Sequence, residues 1–156
     1  MYCDNRKVLS YPYVREVVKS ALANMGLEHY PDAEVRAGVG TAGIAHGVMA
    51  ADLLKLPFIY VRSKPKEHGM GNQIEGVLQA GQKVVVIEDL ISTGKSSLQV
   101  VDALRENGAE VLGMCGLFTY GFPVADRAFA EAAVSLHTIS KDKALMEIAE
   151  EQKLIQ

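Results

Sequence analysis

The chain has 156 residues, 49% of them hydrophobic and 22% charged, which suits one globular domain and argues against wholesale disorder. Its formal net charge of −3 excludes a general nucleic-acid surface, and the one short basic cluster, residues 62–66, matches a small polyanion better than a duplex. No apolar run approaches the roughly 20 residues that span a bilayer and no signal peptide opens the chain, so the cytoplasm is the expected compartment.

Taken in chain order, Val14, Val17, Val18, Ala21, Leu22 and Met25 recur at helical spacing after Pro12, with Gly26 as the expected stop. Residues 34–39 read as a short strand entering the glycine-studded turn Gly40-Thr41-Ala42-Gly43, with a helix over 44–54. Residues 58–62 form the next predicted strand, after Pro57. From 63 to 72 the apolar pattern stops and Lys, Pro, Gly and Asn take over, the composition of a mobile surface loop. Residues 73–82 suggest a short extended piece and a turn. The strand over 83–87 is apolar on both faces, as a central parallel strand covered on each side must be. A helix over 96–107 with Gly108 after it, a strand over 111–120, a helix over 123–133, an extended piece over 134–139 and a helix over 142–156 complete the pattern. The alternation predicts one domain over 1–156, of the α/β class, with a mostly parallel central sheet flanked by helices. Cys3 and Cys115 lack metal-ligand or redox spacing and read as two reduced thiols; His29, His46 and His137 read as structural or exposed.

The segment Val84-Val85-Val86-Ile87-Glu88-Asp89-Leu90-Ile91-Ser92-Thr93-Gly94-Lys95-Ser96 carries the chemistry. A buried strand runs into two carboxylates, and a loop of small residues then opens a helix; ligands of open α/β sheets bind at such strand ends. The backbone N–H groups of 92–96, the hydroxyls of Ser92, Thr93 and Ser96, and the positive helix end suit a phosphate, with Gly94 allowing close approach. Glu88 and Asp89 would repel that phosphate, so they suit sugar hydroxyls or a water-bound Mg²⁺. Phosphate on one side and a diol on the other describe a ribose 5-phosphate. Gly94-Lys95-Ser96 imitates the end of a nucleotide-binding P-loop, but the required earlier glycine would fall on Asp89.

Residues 84–96 resemble the motif with which type I phosphoribosyltransferases bind phosphoribosyl pyrophosphate (PRPP). The stretch Tyr60-Val61-Arg62-Ser63-Lys64-Pro65-Lys66-Glu67-His68-Gly69, with Asn72-Gln73-Ile74-Glu75-Gly76, resembles the catalytic loop of the orotate phosphoribosyltransferases. Tyr2-Cys3-Asp4-Asn5-Arg6, Gly40-Thr41-Ala42-Gly43-Ile44 and Leu117-Phe118-Thr119-Tyr120 are similar to the same family, so the likeness covers nearly the whole chain.

The resemblance implies transfer of a 5-phosphoribosyl group from PRPP to orotate, with release of pyrophosphate, in pyrimidine (UMP) biosynthesis. It implies that Arg62, Lys66 and His68 contact the pyrophosphate and that residues 88–96, namely Glu88, Asp89, Leu90, Ile91, Ser92, Thr93, Gly94, Lys95 and Ser96, hold the ribose 5-phosphate. Ser92 would also touch orotate, and Lys66, His68 and Asp89 would be the catalytic residues. Mg²⁺ bound with PRPP, and a homodimer in which loop 63–72 reaches the neighbouring site, complete the expectation; no metal site is expected on the protein alone. Members of the family carry a leading helix and a hood segment before the stretch on which this sequence begins, so the expectation is a core lacking the hood. Lys95 stands where a glycine is common, which costs stability if that position needs a positive φ. A phosphoribosyltransferase for another base, and a non-catalytic PRPP-binding module or truncated remnant, are the alternatives.

Overall fold

The computed structural model describes residues 5–62 and 73–140. A short 3-10 helix, Asn5–Ser10, leads into α1 (Pro12–His29), followed by β1 (Val35–Val39), α2 (Ala42–Leu54) and β2 (Phe58–Val61). Next come β3 (Ile74–Glu75), β4 (Lys83–Ile91), α3 (Lys95–Glu106), β5 (Glu110–Thr119), α4 (Pro123–Glu131) and β6 (Leu136–Ser140). The six strands of the described residues form one sheet in the order β3-β2-β1-β4-β5-β6, parallel at each pairing except β2 with β3. The expected α/β class with a mostly parallel sheet is what forms. The predicted loop over 63–72 and the predicted helix over 142–156 lie outside the described residues.

Alternation along β4 sorts the core into two layers. Val85 and Ile87 join Val14, Val18 and Leu22 of α1 and Ala50 of α2 on one face. Val84 and Val86 meet Val100, Val101 and Leu104 of α3 and Phe129 of α4 on the other. All four β4 residues from Val84 to Ile87 are 0% exposed, and burying each such side chain contributes about 1.5–3 kcal/mol relative to exposure. A strand enclosed on both faces has no polar positions to alternate, which is why this segment reads as an unbroken apolar run. Among the described residues no helix is long and apolar enough to cross a membrane.

Two expectations are corrected. Helix α1 does not stop at Gly26 but runs on to His29, and Tyr30 N–H then closes onto the Gly26 carbonyl at 2.8 Å. Gly26 is instead a point of close approach, since a Cβ there would strike the guanidinium of Arg36, itself 1% exposed beneath the helix. Strand β4 does not end at Ile87 but continues to Ile91, because β5 pairs with it as far as Ile91 and Thr119. Helices α2 and α3 also start slightly earlier than their periodicity suggests, at Ala42 and Lys95. Cys115 is a free, buried thiol whose burial pushes its pKa up to about 12, which leaves it protonated and inert.

Candidate active site

Strand β1 connects outward to β2 on one side, and β4 connects to β5 on the other. The sheet therefore reverses its winding between β1 and β4, the position where open α/β sheets leave a crevice at their carboxyl ends. Here the crevice has a specific cause. β1 pairs with β4 only as far as Gly38 and Ile87, whereas β5 accompanies β4 four residues further, to Ile91. Past Ile87 one flank of β4 is unpaired, and residues 88–90 border a notch.

A pocket of about 190 Å³ occupies this notch, lined by Glu88, Asp89, Leu90, Ser96 and Val100 on one side and by Val39, Gly40, Thr41 and Ala42 on the other, with Arg6. A larger cleft of about 670 Å³ lies beside β6, among residues such as Met25, His29, Phe129 and His137, and contains none of the predicted site residues. Size is a weaker guide than chemistry here, and the smaller pocket is the candidate site.

Glu88 is 5% exposed and held at both oxygens: Asp89 N–H donates to Oε1 at 2.8 Å and Ser97 Oγ–H to Oε2 at 2.7 Å. Burial pushes its carboxyl up to about 7, a rise that those two bonds oppose and the neighbouring Asp89 carboxylate reinforces. Asp89 is 6% exposed, and its carbonyl accepts a 3.4 Å bond from Asn5 Nδ2. Successive strand residues point to opposite faces. Glu88 accordingly reaches Ser97 of α3, while Asp89 lies against the leading 3-10 helix.

Beyond β4 the loop turns at Gly94, whose φ of +86° is a left-handed conformation suited to glycine; a Cβ there would also stand 2.9 Å from the Phe129 ring. Lys95 is the first helical residue and is not among the positive-φ positions, so its replacement of a glycine brings no backbone strain. Its N–H donates to Thr93 Oγ1 at 3.4 Å, and Ser92, Thr93, Lys95 and Ser96 are all exposed around the start of α3. The first N–H groups of a helix lack intrahelical partners, so this turn presents donors to an anion. A second helix, α2, begins on the opposite wall next to Thr41, after a cis peptide between Gly40 and Thr41.

Three comparisons with known proteins fall on this framework. Residues 35–132 match the family model described as "Phosphoribosyl transferase domain". The chain is 55% identical over 140 residues to an orotate phosphoribosyltransferase of Cytophaga hutchinsonii, covering 90% of this chain and 67% of that protein. It is 54% identical over 149 residues to the orotate phosphoribosyltransferase of Bacillus subtilis, covering 96% and 69% respectively. This chain belongs to the orotate phosphoribosyltransferase family. Among solved structures, the orotate phosphoribosyltransferase of Aeropyrum pernix matches with a TM-score of 0.83 and 30% identity, over 96% of this chain and 83% of that one.

Of the residues expected from the family resemblance, the pocket brings together Glu88, Asp89, Leu90 and Ser96. Ser92, Thr93, Gly94 and Lys95 form the turn that leads from β4 into α3. Ile91 is 0% exposed and packs in the core, which leaves only its backbone for a ligand. Arg62 stands just past β2 with its Nε 3.1 Å from Glu75 Oε1, and its side chain does not line the pocket. Lys66 and His68 lie outside the described residues. His46 is 0% exposed within α2, and burial lowers its pKa, in keeping with a structural role.

Sequence reasoning assigned no role to Arg6, Gly40, Thr41, Ala42 or Ser97. The first four belong to stretches that resemble the family, which was the available signal. Ser97 had none, because only the turn between β4 and α3 brings it back onto Glu88.

Proposed function

We propose that this chain transfers the 5-phosphoribosyl group of PRPP to orotate, giving orotidine 5′-phosphate and pyrophosphate, as a step of UMP biosynthesis in the cytoplasm. The observation that carries the reading is the pocket at the carboxyl ends of β1 and β4, where two buried carboxylates stand between two helix starts. Such a pocket offers hydroxyl acceptors at its centre and anion donors at either side. PRPP has the matching pattern: a diol between a 5′-phosphate and a pyrophosphate.

In this reading the 5′-phosphate sits on the Ser92–Ser96 turn at the start of α3, and Asp89 and Glu88 accept from the ribose hydroxyls. Although both oxygens of Glu88 are already bonded, a carboxylate has about four acceptor positions, so each retains capacity. The pyrophosphate then falls toward Gly40, Thr41 and Ala42. Loop 63–72 brings Lys66 and His68 over it, with Arg62 released from Glu75 to join them. Reaction breaks the C1–O bond, pyrophosphate leaves with the electron pair, and a ring nitrogen of orotate supplies the new C1–N bond. Cations around the pyrophosphate stabilise the charge that grows as the bond lengthens. A loop closed over the site also excludes the water that would hydrolyse the activated sugar.

Mg²⁺ enters with PRPP. Glu88 and Asp89 are the carboxylates that line the pocket, and Glu88 keeps acceptor capacity beyond its bonds to Ser97 and the Asp89 N–H. Two carboxylates beside a polyphosphate ligand suit an ion held chiefly by the substrate's own oxygens and by water. A homodimer in which loop 63–72 crosses to the neighbouring site follows from the resemblance of that loop. Mixing a Lys66→Ala chain with an Asp89→Asn chain tests it: recovered activity in the mixture supports crossing, and none argues against it.

The direct experiment follows the loss of orotate absorbance on adding PRPP and Mg²⁺. Turnover is expected with the intact chain, and Lys66→Ala is expected to lower kcat by about 10²–10³ with an unchanged circular dichroism spectrum. PRPP binding without turnover would reduce the chain to a binding module.

A further inference from the structure

We infer that Arg6 is a pyrophosphate-binding residue of this site, presented by the leading 3-10 helix to the pocket that it lines together with Gly40 and Thr41. The inference rests on the PRPP reading above and adds a contact that the motif at residues 84–96 and the loop at 62–69 do not supply.

The geometry of the short helix carries the argument. With three residues per turn, positions i and i+3 of a 3-10 helix share a face. Asn5 and Val8 are both 0% exposed and form the inward face, so Arg6 and Lys7 are turned outward. The segment is also fixed in place at both ends. Asn5 Nδ2 donates to the Asp89 carbonyl, 84 residues away, and Arg15 Nη1 donates to the Leu9 carbonyl at 2.8 Å. The same anchor that positions Asp89 thus positions the residue after Asn5. Arg6 lines the pocket; Lys7 does not.

Charge then selects the ligand group. Among the described lining residues Arg6 is the only cation, and it shares the pocket with the carboxyls of Glu88 and Asp89. A ligand with several negative phosphoryl oxygens enters such a pocket only if positive charge offsets those acids. The 5′-phosphate has the start of α3 and the diol has the acids, so the pyrophosphate remains for the Gly40 side. A guanidinium suits it, because its planar fork of donors pairs with two phosphoryl oxygens at once.

The test compares Arg6→Gln, Arg6→Lys and Lys7→Gln with the intact chain, each first shown to unfold at the same temperature. Titration calorimetry with inorganic pyrophosphate and Mg²⁺ and with ribose 5-phosphate is paired with the KM values for PRPP and orotate. Arg6→Gln is expected to weaken pyrophosphate binding and raise the KM for PRPP by about 10- to 100-fold. Ribose 5-phosphate binding and the KM for orotate should stay close to wild type. Arg6→Lys should recover part of the loss, and Lys7→Gln, which removes the same charge one residue away, should change nothing. Unchanged pyrophosphate affinity in Arg6→Gln overturns the assignment while leaving the transferase reading intact. So does an equal loss in Lys7→Gln, which would make the effect one of general charge. If the intact chain binds neither PRPP nor pyrophosphate, the functional reading itself fails and Arg6 falls with it.

Discussion

Two strand-to-helix turns face each other across the pocket, and they are built on opposite plans. The β4–α3 turn is rich in functional side chains: two buried acids, three hydroxyls and a lysine between Glu88 and Ser96. The β1–α2 turn, Gly40-Thr41-Ala42-Gly43, offers backbone and space. Its glycines are required by close approaches: a Cβ on Gly43 would stand 2.5 Å from the Ile87 carbonyl oxygen, and one on Gly40 2.9 Å from that of Val61. One turn offers side chains; the other brings backbone and a helix start close to the same pocket.

That contrast can be broken or sharpened by substitution. On the β4–α3 side, Asp89→Asn is expected to weaken PRPP binding by about 10- to 100-fold while orotate binding is little changed, as read by titration calorimetry. Equal losses for both ligands would remove the hydroxyl-accepting role. On the β1–α2 side, Gly43→Ala is expected to cost about 1–3 kcal/mol of folding stability in denaturant unfolding, because backbone rather than a flexible side chain must yield. A fully stable Gly43→Ala protein would show that the two turns are not packed as described.

Glu88 supplies a subtler test through pH. Its carboxyl is raised from the ordinary 4.5 to about 7 in the fold, so the native state keeps a proton that the unfolded chain has already lost. Stability from this group is therefore greatest below about 4.5 and declines as pH rises to about 7. Glu88→Gln, which can still accept from the Asp89 N–H and donate to Ser97, should flatten that window in thermal unfolding measured from pH 4 to pH 8. The same substitution should abolish any gain in PRPP affinity on raising the pH through 7. The smallest effect is expected for Thr41→Ala, whose side chain is exposed: PRPP affinity should change by no more than about threefold if backbone is what that turn contributes.

How much was legible in the sequence follows the same division. The apolar run at Val84 to Ile87 announced the central strand, because a strand covered on both faces has no solvent side to alternate with. Glu88, Asp89 and the Ser92–Gly94 loop pointed to the candidate site, because functional groups on adjacent residues keep their spacing in any fold. Gly26 misled, since a glycine inside a helix and one that ends it look alike until the packing of Arg36 against it is known. The extension of β4 past Ile87 was missed for a related reason: Glu88 and Asp89 break the apolar pattern, yet β5 still pairs beside them.

By itself, then, the amino-acid order determined the alternation of helices and strands, the buried centre of the sheet and the contiguous motif at residues 84–96, all of which arise from neighbours along the chain. Only the tertiary structure decided that Asn5 reaches Asp89, that Ser97 returns to hold Glu88, and that Arg6 shares a pocket with both acids. Those pairings join segments up to 84 residues apart through strand order and the unequal lengths of β1 and β5 beside β4, relations that no local pattern encodes.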